Sequence, residues 1–515
     1  MATQTTSITA PTGGWNDRDA WGEMPPNDAI TLTNFYPTPS DVMQRKGYTN
    51  FATGLPGQVN SVINYAAPTG QFLFAASVTS VYNVTAGGAV GAAVVTGLTS
   101  DKFKYQNISN SGGHWLLMVN GADKLHGYSG SAWWVDGDGA HDITGFDTSK
   151  ATNIMYHQNR IWMVEKSTLH VWYLGIGAIA GAATQFDLSN VARKGGYLVG
   201  MDSWTIDAGD GMNNYAVFYT SMGEIIVYTG VDPSSATTWS LTGVWALGAP
   251  VGNRCSMKWG GDLLLITLDG LVPMAQALQS SRLDPRINLT DKIYMAISAA
   301  TQAYNGNFGW DLLYYAKANM LILNIPIGVG SQQQYVMNTI TKQWSNFTGW
   351  NANCWCLFND EPYFGGNGVV CKAWDGFSDN NTNISSLAQQ AFNYLVPMAG
   401  AGQTGGTRAV QKRVSMARPI LFSNGSPAAS MNVNMDFVTT PPTGALTFSG
   451  SSSFGTWDSS TWGNANWGSG LNVSKNWYGV QGIGYCMSIN LQIASQGIET
   501  HWAATDIVYE TGGIL

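Results

Sequence analysis

The sequence predicts an all-β chain, and three observations carry the prediction. Short runs of aromatic and β-branched residues alternate with Gly, Asn and Asp, the chemistry of strands and turns. Paired runs of this kind recur, most of them starting roughly 40 to 60 residues apart, the spacing of propeller blades with loop insertions. Nearer the C-terminus apolar and polar residues alternate strictly, as half-buried antiparallel strands require. Together these predict a six- or seven-bladed β-propeller over residues 56–385. An N-terminal extended arm (1–55) precedes it, and a C-terminal β-sandwich-like domain (386–515) follows.

The arm carries GGWNDRDAWGEMPPNDAITLTNFYPTPSDVMQRKGY. Pro25, Pro26, Pro37 and Pro39 argue against a long helix or a central strand. Trp15, Trp21, Phe35 and Tyr36 nevertheless need burial. An extended arm clamped onto the C-terminal domain satisfies both demands; an irregular edge to the first domain is the alternative.

The blade units begin at Gly70 (GQFLFAASVTSVYNVT), Gly112, His157 (HQNRIWMVEKSTLHVWYL), Asn213, Gly260 and Asn319. Each has an apolar strand, a short turn and a second strand. A lone hairpin of this kind cannot bury its large side chains, so the units must stack on one another. Tyr335 to Gly376 is the most regular stretch, with three or four strands in succession. Ile340-Thr341-Lys342 and Asn359-Asp360-Glu361 supply its turns.

Past Ile384, SSLAQQAFNYLV suits a short helix or an irregular strand. A Gly-rich loop and the basic residues Arg408, Lys412, Arg413 and Arg418 follow. Met431, Val433, Met435 and Phe437 alternate with Asn432, Asn434 and Asp436, and Tyr485, Met487, Ile489, Leu491 and Ile493 repeat the pattern. Trp457, Trp462 and Trp467 recur every five residues, a period of neither strand nor helix. Buried anchors on a looped segment are the favoured reading, and an exposed sugar-binding patch is the sharper alternative.

Charged residues make up only 11% of the chain, against the usual ~25%. A polar but uncharged surface accounts for this, as does a surface largely covered by neighbouring subunits. The net charge of −8 excludes a chain built as a whole to grip DNA or anionic lipid. It is compatible with a passage through which DNA slides. No apolar run reaches the ~18 residues of a membrane span, and the first residues lack a signal-peptide pattern, so synthesis and folding in a cytoplasm are expected.

The five cysteines, Cys255, Cys354, Cys356, Cys371 and Cys486, form no disulfide framework. Cys354, Cys356 and Cys371 offer a metal site without an evident fourth ligand; buried reduced thiols are the favoured reading. Enzyme motifs such as H-E-x-x-H, G-x-S-x-G and the P-loop are absent, and His114, His126, His141, His157, His170 and His501 are scattered. Glu165, Asp207, Glu224 and Asp269 are the candidate carboxylates for a propeller glycosidase, but each adjoins a turn. The sharpest cluster is VDGDGAHDITGFD. Asp136, Asp138, Asp142 and Asp147 fall at calcium-loop positions, yet Ala140 and His141 stand where a ligand and the turn glycine belong. An acidic inter-strand loop is the favoured reading. No catalytic, cofactor or metal residue is therefore assigned.

The arm from Thr9 to Tyr48 is similar to the start of tail nozzle proteins of short-tailed bacteriophages. So are HQNRIWMVEKSTLHVWYL, the Tyr335–Gly376 stretch, and AQQAFNYL followed by KRVSMARPILFSNG, in the same order along the chain. The resemblance implies a structural virion protein of the tail, made in the bacterial cytoplasm and present as a hexameric ring. It implies contact with portal or adaptor proteins and with tail fibres or spikes. It also implies that the ring forms the distal part of the DNA channel, retains the packaged genome and lets it pass at ejection. With the enzyme motifs absent, no enzyme activity and no cofactor are expected. The alternative from another class is a carbohydrate-binding propeller, or a propeller glycosidase.

Overall fold

Strands that are apolar on both faces set the architecture. A computed structural model describes residues 3–207, 212–277, 286, 288–395, 410–443 and 470–511, with backbone only for 206, 207, 212 and 213. Among these the chain is all-β, and its longest helix is Tyr294–Tyr304, 11 residues.

Four antiparallel four-stranded blades succeed one another in a propeller-like arrangement. The first runs through Lys104–Asn110, Gly113–Val119, His126–Tyr128 and Trp133–Val135. The second joins Ala151–His157, Arg160–Glu165, His170–Tyr173 and Thr184–Asp187, and the third Leu198–Asp207, Met212–Thr220, Glu224–Gly230 and Trp239–Ala246. The fourth holds Asp311–Tyr315, Met320–Gly328, Ser331–Asn338 and Trp344–Thr348. Successive side chains on a strand point to opposite faces, so one strand feeds two cores. Leu116 and Met118 pack with Phe74 and Ala76, while Leu117 and Val119 pack with Ile161 and Met163. Trp162 and Val164 in turn meet Ala216 and Phe218, while Val217 and Tyr219 meet Leu263 and Leu265. This two-sided burial explains why the blade strands read as continuous apolar runs, and each such side chain contributes about 1.5–3 kcal/mol.

Further strands lie around these blades. Ser256–Trp259, Asp262–Thr267 and Gly270–Pro273 form a three-stranded sheet. Cys354–Phe358, Glu361–Gly365 and Asn367–Ala373 continue onto Tyr48–Ala67, a strand of 20 residues. Its first part pairs with Asn367–Ala373 and its second with Gly70–Ser77. The boundary expected between Leu55 and Pro56 therefore falls inside one unbroken strand. In the Tyr335–Gly376 stretch, Asn359 (φ 50°) and Asp360 (φ 58°) form the two-residue turn that pairs Phe358 with Glu361. Positive φ at both positions is what a tight hairpin of right-twisted strands demands.

The arm is not simply clamped on one side. Ala29–Thr33 lies within an eight-stranded sheet, between Trp344–Thr348 and Ile384–Gln390. The prolines flank this strand and leave its donors free, so the expectation against a central strand fails here. The sheet continues through Met487–Ser495 to Ala428–Met435. Facing it is a seven-stranded sheet in which Thr500–Thr511 pairs with Lys412–Ser423 on one side, and with Thr3–Thr9 and Val42–Gln44 on the other. Phe35, Val42, Leu421, Leu491, Trp502 and Ile507 share the core between them. Tyr36 points the opposite way, into the core of Phe347, Trp350 and Phe364. Trp21, expected to be buried, is 41% exposed.

Two details of the C-terminal pattern differ from expectation. Phe437 leaves the face of Met431 and Val433 because the strand ends at Met435, and Asp436 and Phe437 turn the chain at φ 49° and 66°. Tyr485 precedes the strand Met487–Ser495 and is exposed, whereas Ile489, Leu491 and Ile493 are core. SSLAQQ is strand rather than helix.

Arg45 binds the arm to both sheet systems. Its guanidinium is fully buried and paired two-pronged with Asp379, at 2.8 and 2.6 Å. It also donates to Asn34 Oδ1 and to the carbonyls of Lys46 and Thr348, and lies over the Trp350 ring. Lys292 holds the first part of the arm in the same manner, donating to Gly13 O, Asp28 and Gln343.

Candidate functional site

The innermost strands of the sheets neighbour one another in a circuit. Tyr48–Ala67 adjoins Lys104–Asn110, then come Ala151–His157, Leu198–Asp207, the 256–273 sheet, Asp311–Tyr315 and Cys354–Phe358, which returns to Tyr48–Ala67. Five of these segments line an open-sided cavity of about 540 Å³. Its charged lining is Lys104, Arg254, Lys258 and Asp311. A second cavity, about 370 Å³, shares Arg254 and includes Lys102 and Phe308.

Arg254 is the fixed member of the cluster. Its Nη2 donates to Asn60 O (3.0 Å), Ser61 Oγ (2.8 Å) and Phe103 O (2.9 Å), and its guanidinium lies over the Phe308 ring. Its Nη1 is 3.8 Å from Asp311. Asp311 accepts the backbone N–H of Leu312 and Trp355. Burial pushes the Asp311 carboxyl above its usual pKa, and the charges of Arg254 and Lys104 oppose that push. The arrangement can hold an anion; Ser256, also on the lining, donates its hydroxyl to Asp202.

Of the residues singled out in the sequence, Cys356 lines the cavity and the other described ones do not. Cys354 and Cys356 lie in the core between Tyr48–Ala67 and Cys354–Phe358, and Cys371 packs with Trp350 and Phe364. All five cysteines are free and buried. Burial pushes the thiols of Cys255, Cys354, Cys356 and Cys371 up to about 12, so they are protonated at neutral pH. Among the described residues no group of three His, Cys, Asp or Glu is placed to hold a metal. The acidic loop spends its carboxylates on itself. Asp136 accepts from Ile143 N–H and Thr148 Oγ1, Asp138 from Ala140 and His141, Asp142 from Gly139, and Asp147 from Ser149.

Glu165 accepts from the Trp172 indole, and Glu224 from the backbone N–H of Arg193 and Lys194. Asp269 sits at the hairpin between Asp262–Thr267 and Gly270–Pro273. None of these three lines the cavity of Lys104 and Asp311. The side chain of Asp207 and residues Arg408, Trp457, Trp462 and Trp467 lie outside the described residues. The histidines are equally dispersed. His170 meets Glu165, His141 meets Asp138, and His501 bridges Asp41 and Glu499.

His157 is buried, with Nδ1 2.9 Å from Ser203 Oγ. Burial, with help from the Lys258 charge, pushes its pKa down to about 4. The unfolded imidazole titrates near 6.5, so the neutral form stabilises the fold fully above that pH, and this contribution is lost as pH falls through about 4. A loss of about 3 kcal/mol is expected across that window, at ~1.4 kcal/mol per pKa unit. Urea titrations from pH 7 to 4 check it: His157→Gln should remove that part of the pH dependence, and an unchanged profile would contradict the assignment.

Sequence reading missed the cavity residues. Lys104 and Asp311 lie on separate blades, Arg254 and Lys258 on or just before a third sheet, and nothing local marks any of them.

No family model matches the chain, and no curated protein does. Solved structures similar to part of it include chains from crystals of BBS1N in complex with ARL6DN. One of these, soaked with mercury, matches at 9% identity and a TM-score of 0.40, over 65% of this chain and 99% of the other. Another, soaked with lead, gives 11% identity and a TM-score of 0.28, over 42% of this chain and 62% of the other. Raptor from Chaetomium thermophilum matches at 9% identity and a TM-score of 0.37, over 65% of this chain but only 29% of its own length. At these scores the likenesses carry no functional argument.

Proposed function

We propose that this chain is a non-enzymatic structural subunit of a phage tail nozzle. In this reading it is a seven-bladed propeller joined to a β-sandwich, assembled as a sixfold ring. The blade number is supported by the circuit of inner strands, with Tyr48–Ala67 joining the last sheet to the first. The observation that carries the reading is the arm. It is woven into both sheet systems through Ala29–Thr33, Thr3–Thr9 and the buried Arg45. A chain tied in this way moves as one body, which suits a ring that bears load from packaged DNA. The ring would meet portal or adaptor proteins above and fibres or spikes at its side, retain the genome and release it at ejection.

The low charge of the chain suits subunit faces covered by neighbours. Cyclic closure repeats one heterologous interface, and a subunit that assembles only on a tail platform must associate weakly alone. The purified chain is therefore expected to be mostly monomeric by light scattering. Its affinity for duplex DNA should be negligible in a gel-shift at physiological salt, since tight binding needs several phosphate contacts. Tight, salt-sensitive DNA binding by the monomer would overturn holding of the genome by steric closure.

A further inference from the structure

We propose that the cavity lined by Lys104, Arg254, Lys258 and Asp311 is a binding site for a small anionic ligand. The ligand would carry a carboxylate or phosphate on a body of about monosaccharide size. This does not rest on the tail reading.

The charge of the cavity is the first ground. The chain as a whole has 24 basic and 32 acidic residues, yet three cations and one carboxylate line this space. Arg254 and Asp311 face each other at 3.8 Å and offset one another. That leaves the ammonium groups of Lys104 and Lys258, and among the described residues neither has a hydrogen-bond or ion-pair partner. With three cations against one carboxylate the cleft is net positive, and low-dielectric walls focus such a field and concentrate counter-ions. The second ground is the build of the site. At about 540 Å³ the cavity lies within the ~300–1,000 Å³ range of small-molecule pockets. Tyr314, Met257 and Leu357 add an aromatic and apolar wall, and the Tyr314 hydroxyl has no described partner. Arg254 is pinned by three acceptors, two on Tyr48–Ala67 and one at Phe103 just before Lys104–Asn110. An ion alone would leave that wall unused, whereas a sugar-sized anion uses both parts.

Titration calorimetry on the full chain at low salt tests this with glucose 6-phosphate, glucuronate, inorganic phosphate and glucose. Glucose 6-phosphate and glucuronate should bind, inorganic phosphate more weakly, and neutral glucose should give no heat. Lys104→Gln with Lys258→Gln should weaken both charged sugars by about tenfold or more, since charge-assisted hydrogen bonds are lost. Binding should also fall between about 0.05 and about 0.5 M KCl. This salt series uses the unaltered chain and decides the matter even if the double variant does not fold. Equal binding of glucose, salt-independent affinity, undiminished binding by a folded double variant, or no heat from any charged probe at millimolar concentration would each overturn the proposal.

Discussion

Deletion of residues 1–47 is expected to abolish soluble folding. The arm supplies Ala29–Thr33, an interior strand of the eight-stranded sheet. Without it, Trp344–Thr348 and Ile384–Gln390 become open edges, the usual template for edge-to-edge aggregation. The deletion also removes Leu32, Phe35, Tyr36 and Val42 from two cores. At about 1.5–3 kcal/mol each these sum to about 6–12 kcal/mol, comparable with the ~5–15 kcal/mol net stability of a typical domain. Size-exclusion chromatography and thermal melting of the truncated chain check this. A soluble monomer with the melting temperature of the full chain would contradict the interior placement of the strand.

Arg45→Met should cost about 3–5 kcal/mol, because it leaves the Asp379 carboxylate and the Thr348 carbonyl without their buried partner. Arg45→Lys should rescue little, since an ammonium cannot reproduce the two-pronged pairing together with the bond to Asn34. Replacing both ends, Arg45→Met with Asp379→Leu, should recover much of the loss by removing the stranded charge. Urea midpoints of the three variants provide the measurement, and a cost below about 1 kcal/mol for Arg45→Met, the level of an exposed pair, would show that the pair does not hold the arm.

What the sequence made legible was local. The hairpin across Asn359 and Asp360 could be read because its strands adjoin and its turn residues tolerate positive φ. Apolar runs placed most blade strands for the same reason. The path of the arm was not legible, because its pairings, such as Ala29 with Gln390 and Thr33 with Asn346, join segments remote in sequence. Local spacing alone was also ambiguous. The aspartates of 136–147 match a calcium-loop spacing, but Asx-type bonds to nearby N–H and O–H groups take up their oxygens. Phe437 continues an alternating pattern in sequence, while two left-handed residues end its strand. The cavity of Lys104 and Lys258 exists only because blades far apart in sequence converge there.

The central claim is that this chain forms the ring at the lower end of a phage tail. Electron-microscopic imaging of the particle that carries it, with the chain located by its density, tests this most directly. The account predicts six copies around the DNA channel, below the portal and adaptor. Particles whose channel is built without this chain, or a chain found away from the tail, would contradict it.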